Sequence, residues 1–128
     1  MTSRSLFVLT LLAAAALPAL AQIKIGVTLS TTGPAVSLGI PEKNTIALLP
    51  KTIAGKTVEY IVLDDASDSS AAVVNTRRLT LEDKVDAIIG STTTPNSLAM
   101  TDAVAESGTP TISLASSARI IEIGRAHV

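Results

Sequence analysis

From Ile23 onward, short runs of apolar and β-branched residues alternate with longer stretches whose apolar positions recur every three or four residues. The short runs suit strands and the longer ones helices. Ile23, Ile25, Val27 and Leu29 mark a first strand, apolar enough to carry helices on both faces. Residues 58–63, 85–89 and 111–114 predict three more. Between the first two strands, residues 42–53 carry Ile46, Leu49 and Ile53 at helical spacing. Pro41 is acceptable in the first turn of such a helix, whereas Pro50 removes a backbone donor and should shorten or kink it. Gly55 closes the segment. Asp68 is placed to cap a second helix over 69–83, with Ala72, Val73, Thr76 and Leu79 facing inward. Pro95 opens a third helix that reaches Ser107 and ends at Gly108.

This alternation is the βαβ signature, so the fold class is α/β: an open, doubly wound parallel sheet with four strands. Ligands of such sheets bind outside the carboxyl ends of the strands. Those ends are residues 30–39, 64–68, 91–95 and 115–117, and three of the four are rich in hydroxyls.

The first 21 residues do not fit this rhythm. A cationic start at 1–4 precedes an apolar run over 6–17, then Pro18 and the small-residue pattern Ala19-Leu20-Ala21. That order is a secretory signal peptide cleaved after Ala21. Its apolar run, about a dozen residues, falls short of the roughly 20 needed to span a bilayer. The chain has no cysteine, so it has neither disulfides nor a lipid-bearing Cys behind the cut, and the expected location is the periplasm. The expected domain from residue 22 to 121 is about 100 residues, enough for one small unit. Ten basic and eleven acidic residues, with one Phe, one Tyr and no Trp, argue against a nucleic-acid partner.

Ser91, Thr92, Thr93 and Thr94 precede Pro95 at a helix start. Hydroxyls and unpaired N–H groups there form a small anion site, favoured by the helix dipole. The alternative is that Thr94 only caps the helix. Ala115, Ser116 and Ser117 follow the fourth strand in the same way, and they suit either a ligand's polar head or a plain polar turn. Asp64, Asp65 and Asp68 resemble a metal cluster less than a loop pair plus a helix cap, since no histidine converges on them.

Taken in order, Ile23-Lys24-Ile25-Gly26-Val27, Thr32-Gly33-Pro34, Leu63-Asp64-Asp65 with Asp68, Ile88-Ile89-Gly90 with 91–95, and residues 108–117 resemble the type I periplasmic binding proteins. The similarity is greatest to the branched-chain amino acid receptors of ABC importers. It implies that residues 22–121 are part of the first of two lobes that close on a small ligand. It also implies binding of an amino acid or similar carboxylate in the periplasm, an ABC permease in the inner membrane as partner, a monomer when complete, and no cofactor. By position, Ser91, Thr92, Thr93 and Thr94 would hold the carboxylate, with Thr92 and Thr93 favoured. The Ala115 carbonyl and the Ser117 hydroxyl would hold the rest of the head group. Leu38 stands where relatives often place an aromatic ring, so it offers an apolar wall and leaves aromatic acids open as ligands.

Residues 122–128 break the pattern of relatives and match a translated sequencing-adapter read, so they are expected to be a non-native tail. The single histidine, His127, lies within it. Without Cys or another His, the usual nucleophile–base pairs are missing, and no catalytic residue is assigned. Two other readings remain beside transport: a ligand sensor of the same fold, and a small doubly wound enzyme domain using Asp64 and Asp65.

Overall fold

A computed structural model describes residues 22–125. The expected signal peptide, 1–21, lies outside the described residues, as do residues 126–128 of the expected tail. The elements run β1 (Ile23–Leu29), α1 (Val36–Leu48), β2 (Thr52–Ile53), β3 (Lys56–Asp64), α2 (Ser69–Arg77) with a π-helical extension (Arg78–Glu82), β4 (Ala87–Ile89), α3 (Thr94–Ser107), β5 (Thr111–Ile112) and α4 (Ala118–Arg125). The sheet order is β2-β3-β1-β4-β5.

β1 pairs in parallel with β3 on one side, from Ile23↔Val58 to Leu29↔Asp64, and with β4 on the other. β4 pairs in parallel with β5. Side chains alternate faces along β1. Val27 and Leu29 pack with Ile46 of α1, while Gly26 faces Leu79 in the π-helical extension of α2, where a Cβ would lie 2.9 Å from Leu79 Cδ1. Ala72, Leu79, Val85, Ile88 and Met100 form the core of that second face. Helices therefore cover both faces, as a doubly wound sheet requires.

The first helix departs from expectation. It spans Val36–Leu48 rather than 42–53, and Pro41 lies inside it. Gly39 explains the early start: a Cβ there would collide with the Ser30 carbonyl, so the first turn packs directly on the end of β1. Pro50 ends the helix by forcing Leu49 into an extended conformation, φ −66° and ψ 153°. Residues 52–53, expected to be helical, form β2, which pairs antiparallel with the start of β3. Ala54 and Gly55 both have positive φ, 50° and 77°, the backbone of a two-residue hairpin turn. The second helix agrees with expectation. Asp68 accepts from the Ala71 N–H at 2.8 Å, and Ala72, Thr76 and Leu79 are fully buried, with Val73 half-buried. Gly108, at φ 66°, ends α3 in the left-handed cap position. α4 was not anticipated, and it runs into the expected tail as far as Arg125.

Candidate ligand site

The loops after β1, β4 and β5 follow adjacent parallel strands and so emerge along one rim. Two hydrogen-bond hubs tie them together. The first is Asp65, which is fully buried although no cation faces it among the described residues. Its Oδ1 accepts from Ser30 Oγ at 2.7 Å and from the Ser67 N–H at 3.0 Å. Its Oδ2 accepts from Ser91 Oγ at 2.6 Å and from Thr28 Oγ1 at 3.4 Å. Thr28 Oγ1 in turn accepts from Asn75 Nδ2 of α2 at 3.1 Å. A buried carboxylate is tolerated only when its oxygens are satisfied, and here hydroxyl and N–H donors do so.

The second hub is Ser97, in the first turn of α3. Its hydroxyl donates to the Ser91 carbonyl at 3.1 Å and accepts from the Ser91 N–H at 3.2 Å. Ser113, beyond β5, donates to the same hydroxyl at 3.0 Å. The turns after β4 and β5 are thus joined through one side chain.

These bonds sort the predicted site residues. Ser91 faces inward, and its hydroxyl proton goes to Asp65. Thr92 Oγ1 donates to Glu42 Oε2 of α1 at 2.6 Å and accepts from the Ser30 N–H at 3.0 Å. Its single hydroxyl proton is therefore committed to a protein carboxylate. Thr93 is the N-cap of α3, half-buried, and makes no side-chain cap bond. Thr94 is the first helical residue, so the cap falls one position before the one considered from sequence. Among the described residues the N–H groups of Thr94 and Asn96 have no partner, while Ser97 N–H bonds the Thr93 carbonyl. Asn96 is buried, accepts from Ser69 Oγ at 3.0 Å, and leaves Nδ2 without a partner among the described residues. Thr93 and Thr94 thus retain the free hydroxyls, beside the unpaired N–H groups of a helix start.

Ala115 and Ser117 line an open cavity of about 650 Å³ that also takes in Ser113 and Ser116. The Ala115 N–H bonds Ser113 Oγ at 3.1 Å, which fixes the turn. Leu38 stands on the first turn of α1, 57% exposed, next to the Gly39 contact with Ser30. Asp64 is unlike its neighbour: it lies at the surface and gathers the Thr31, Thr32 and Ala66 N–H groups together with Thr32 Oγ1. The acidic pair therefore organises loops from two sides. Glu42, Ser97 and the burial of Asp65 escaped sequence reasoning. The available signal was Thr28 and Ser30, two polar residues on one face of an otherwise apolar strand end.

A family model described as periplasmic binding protein matches residues 22–124. The chain belongs to this family. The solved relatives of this periplasmic binding protein include an extracellular ligand-binding receptor from Rhodopseudomonas palustris HaA2. That receptor is 48% identical, with a TM-score of 0.77, over 79% of this chain and 28% of the other. A solute-binding protein of an ABC transporter from Rhodopseudomonas palustris BisB5, in complex with 3,4-dihydroxybenzoic acid, is 31% identical with a TM-score of 0.76, over 80% of this chain and 30% of the other. The branched-chain amino acid transporter substrate-binding protein LivJ from Streptococcus pneumoniae, in complex with isoleucine, is 25% identical with a TM-score of 0.68, over 80% and 31%. No curated protein matches the chain. The chain spans less than a third of the length of these solved relatives. Members of the family are substrate-binding proteins of the periplasm or cell exterior, and the partly matched fold is the type I α/β lobe.

Proposed function

We propose that the complete protein is the substrate-binding component of an ABC importer, capturing a small carboxylate in the periplasm. The observation that carries this reading is the start of α3. Among the described residues, the Thr93 and Thr94 hydroxyls make no hydrogen bond and the Thr94 and Asn96 N–H groups have no partner, where the helix dipole favours a negative group. The carboxylate is assigned to Thr93 and Thr94 with the backbone at 93–96. Ser91 and Thr92 contribute from behind, through the protein bonds that hold the turn. Ala115 and Ser117, joined to this turn through Ser97 and Ser113, are assigned to the rest of the head group. Leu38 is assigned to an apolar wall.

Two ligand classes follow from the relatives. Branched-chain amino acids are supported by the LivJ protein with isoleucine, and aromatic acids by the more similar protein with 3,4-dihydroxybenzoic acid. Both bear a carboxylate. An apolar wall at Leu38 serves either, and a ring needs no aromatic partner to pack against a leucine. The signal-peptide pattern expected over residues 1–21 supports a periplasmic location, with the permease of the importer as partner.

The test is a thermal-shift panel on the complete two-lobed protein, with branched-chain amino acids, aromatic acids and dicarboxylates. Ligand at 100 times its Kd should raise stability by about 2.7 kcal/mol. Stabilisation by none of the panel overturns the reading.

A further inference from the structure

We propose that Asp65 is a positioning residue for ligand binding, holding the turn that presents the carboxylate donors; this rests on the function proposed above. Asp65 is 0% exposed and touches no ligand-facing surface. Its two oxygens nevertheless reach the ends of all three central strands: Thr28 and Ser30 from β1, its own chain after β3, and Ser91 after β4. The bonds from Ser91 and Ser30, 2.6 and 2.7 Å, are short and charge-assisted, the stronger kind of hydrogen bond.

Ser91 leads directly into Thr92, Thr93 and Thr94. Its side chain is held by Asp65, and its N–H and carbonyl are both held by Ser97. The turn therefore has little freedom to reorient unless one of these anchors changes. Thr92 is fixed in addition by Glu42 and by the backbone N–H of Ser30, the residue whose hydroxyl Asp65 also holds. Asp65 thus reaches the turn along two routes, directly through Ser91 and through Ser30.

Asparagine in its place keeps the shape but replaces one acceptor oxygen with a donor. The Ser67 N–H can only donate, so it keeps the amide oxygen on its side and turns the NH2 toward Ser91 and Thr28. The Ser91 hydroxyl must then accept instead of donate, and the short charge-assisted anchor of the turn becomes a weaker neutral bond of reversed direction. Affinity is set by placement of the donors at 93–96, so it should fall by more than stability alone dictates.

The experiment uses the complete protein and four variants: Asp65→Asn, Ser91→Ala, the pair combined, and Leu79→Val in the core as a stability control. Isothermal titration with isoleucine and with 3,4-dihydroxybenzoate is read beside the unliganded Tm and the amide resonances of Thr92, Thr93 and Thr94. Asp65→Asn should weaken binding of the accepted probe at least tenfold and shift those resonances. The combined variant should bind within twofold of Asp65→Asn, since both changes act on the same bond. Leu79→Val should lower the Tm while leaving affinity within twofold. Asp65→Asn binding within twofold of the parent, or Leu79→Val weakening binding as much, overturns the proposal. A parent that binds neither probe, nor any acid of the thermal-shift panel, overturns the function instead. In that case, shifted amides in Asp65→Asn uphold the positioning of the turn, and unmoved ones overturn it.

Discussion

Asp64 accepts hydrogen bonds where the loops after β1 and β3 meet, from Thr31, Thr32 and Ala66. Partial burial pushes its carboxyl up, but the Thr32 hydroxyl, the Ala66 N–H and the Thr31 bonds outweigh this and hold it below the ordinary 3.8. Between the lowered value and 3.8 the unfolded chain binds more protons than the folded one, so stability rises with pH there. The contribution is complete above 3.8 and is lost as pH falls through the lower folded value. Thermal melts of the complete protein and its Asp64→Asn variant should therefore differ by a constant amount near neutrality and converge in acid. A gap that stays constant into the acid range contradicts the assignment. Thr93 makes the opposite kind of prediction. A Ser or Thr cap that bonds its helix is worth about 1 kcal/mol, and Thr93 makes no such bond. Thr93→Ala should change stability by less than about 0.5 kcal/mol while weakening carboxylate binding at least tenfold. Equal affinity by titration would remove Thr93 from the site.

Among the elements, the β2–β3 hairpin carries a local conflict. Ala54 holds φ at 50° in a turn that favours Asn or Gly. Ala54→Asn should raise stability by about 0.5–1 kcal/mol, measured by denaturant midpoint; no change would argue against this turn. The same hairpin shows where sequence reading failed. Residues 52–53 share helical spacing with Ile46 and Leu49, and only Pro50, by ending α1, releases them to pair with β3. The start of α1 was hidden for a different reason, because it depends on the contact of Gly39 with Ser30, which are far apart in pattern though near in sequence. β1, β3, α2 and α3 were legible because period, cap and terminator agree in each: Asp68 caps α2, Pro95 opens α3 and Gly108 ends it. The hydroxyl-rich turns were legible as neighbours on one rim. Their division was not, because which hydroxyls keep a free proton depends on Asp65 and Glu42, carboxylates 26 and 50 positions away from their partners.

At the scale of the molecule, the described residues leave apolar surface uncovered. Leu48 is 86% exposed, and Ile112 on the edge strand β5 is 65% exposed. An unprotected edge invites pairing between copies. Residues 22–128 expressed alone should associate, eluting broadly and ahead of a monomer in size-exclusion chromatography. A single monomeric peak with a cooperative thermal transition would contradict this. The proposed function requires a second lobe that closes over the rim formed by the turns after β1, β4 and β5. The central claim is that this rim holds a carboxylate at the start of α3. Its most direct test is isothermal titration of the complete protein with the acid that stabilises it, alongside that acid's primary amide. The acid should bind at least tenfold more tightly, since the amide lacks the charge that the helix start favours. Equal affinity for acid and amide would contradict the account.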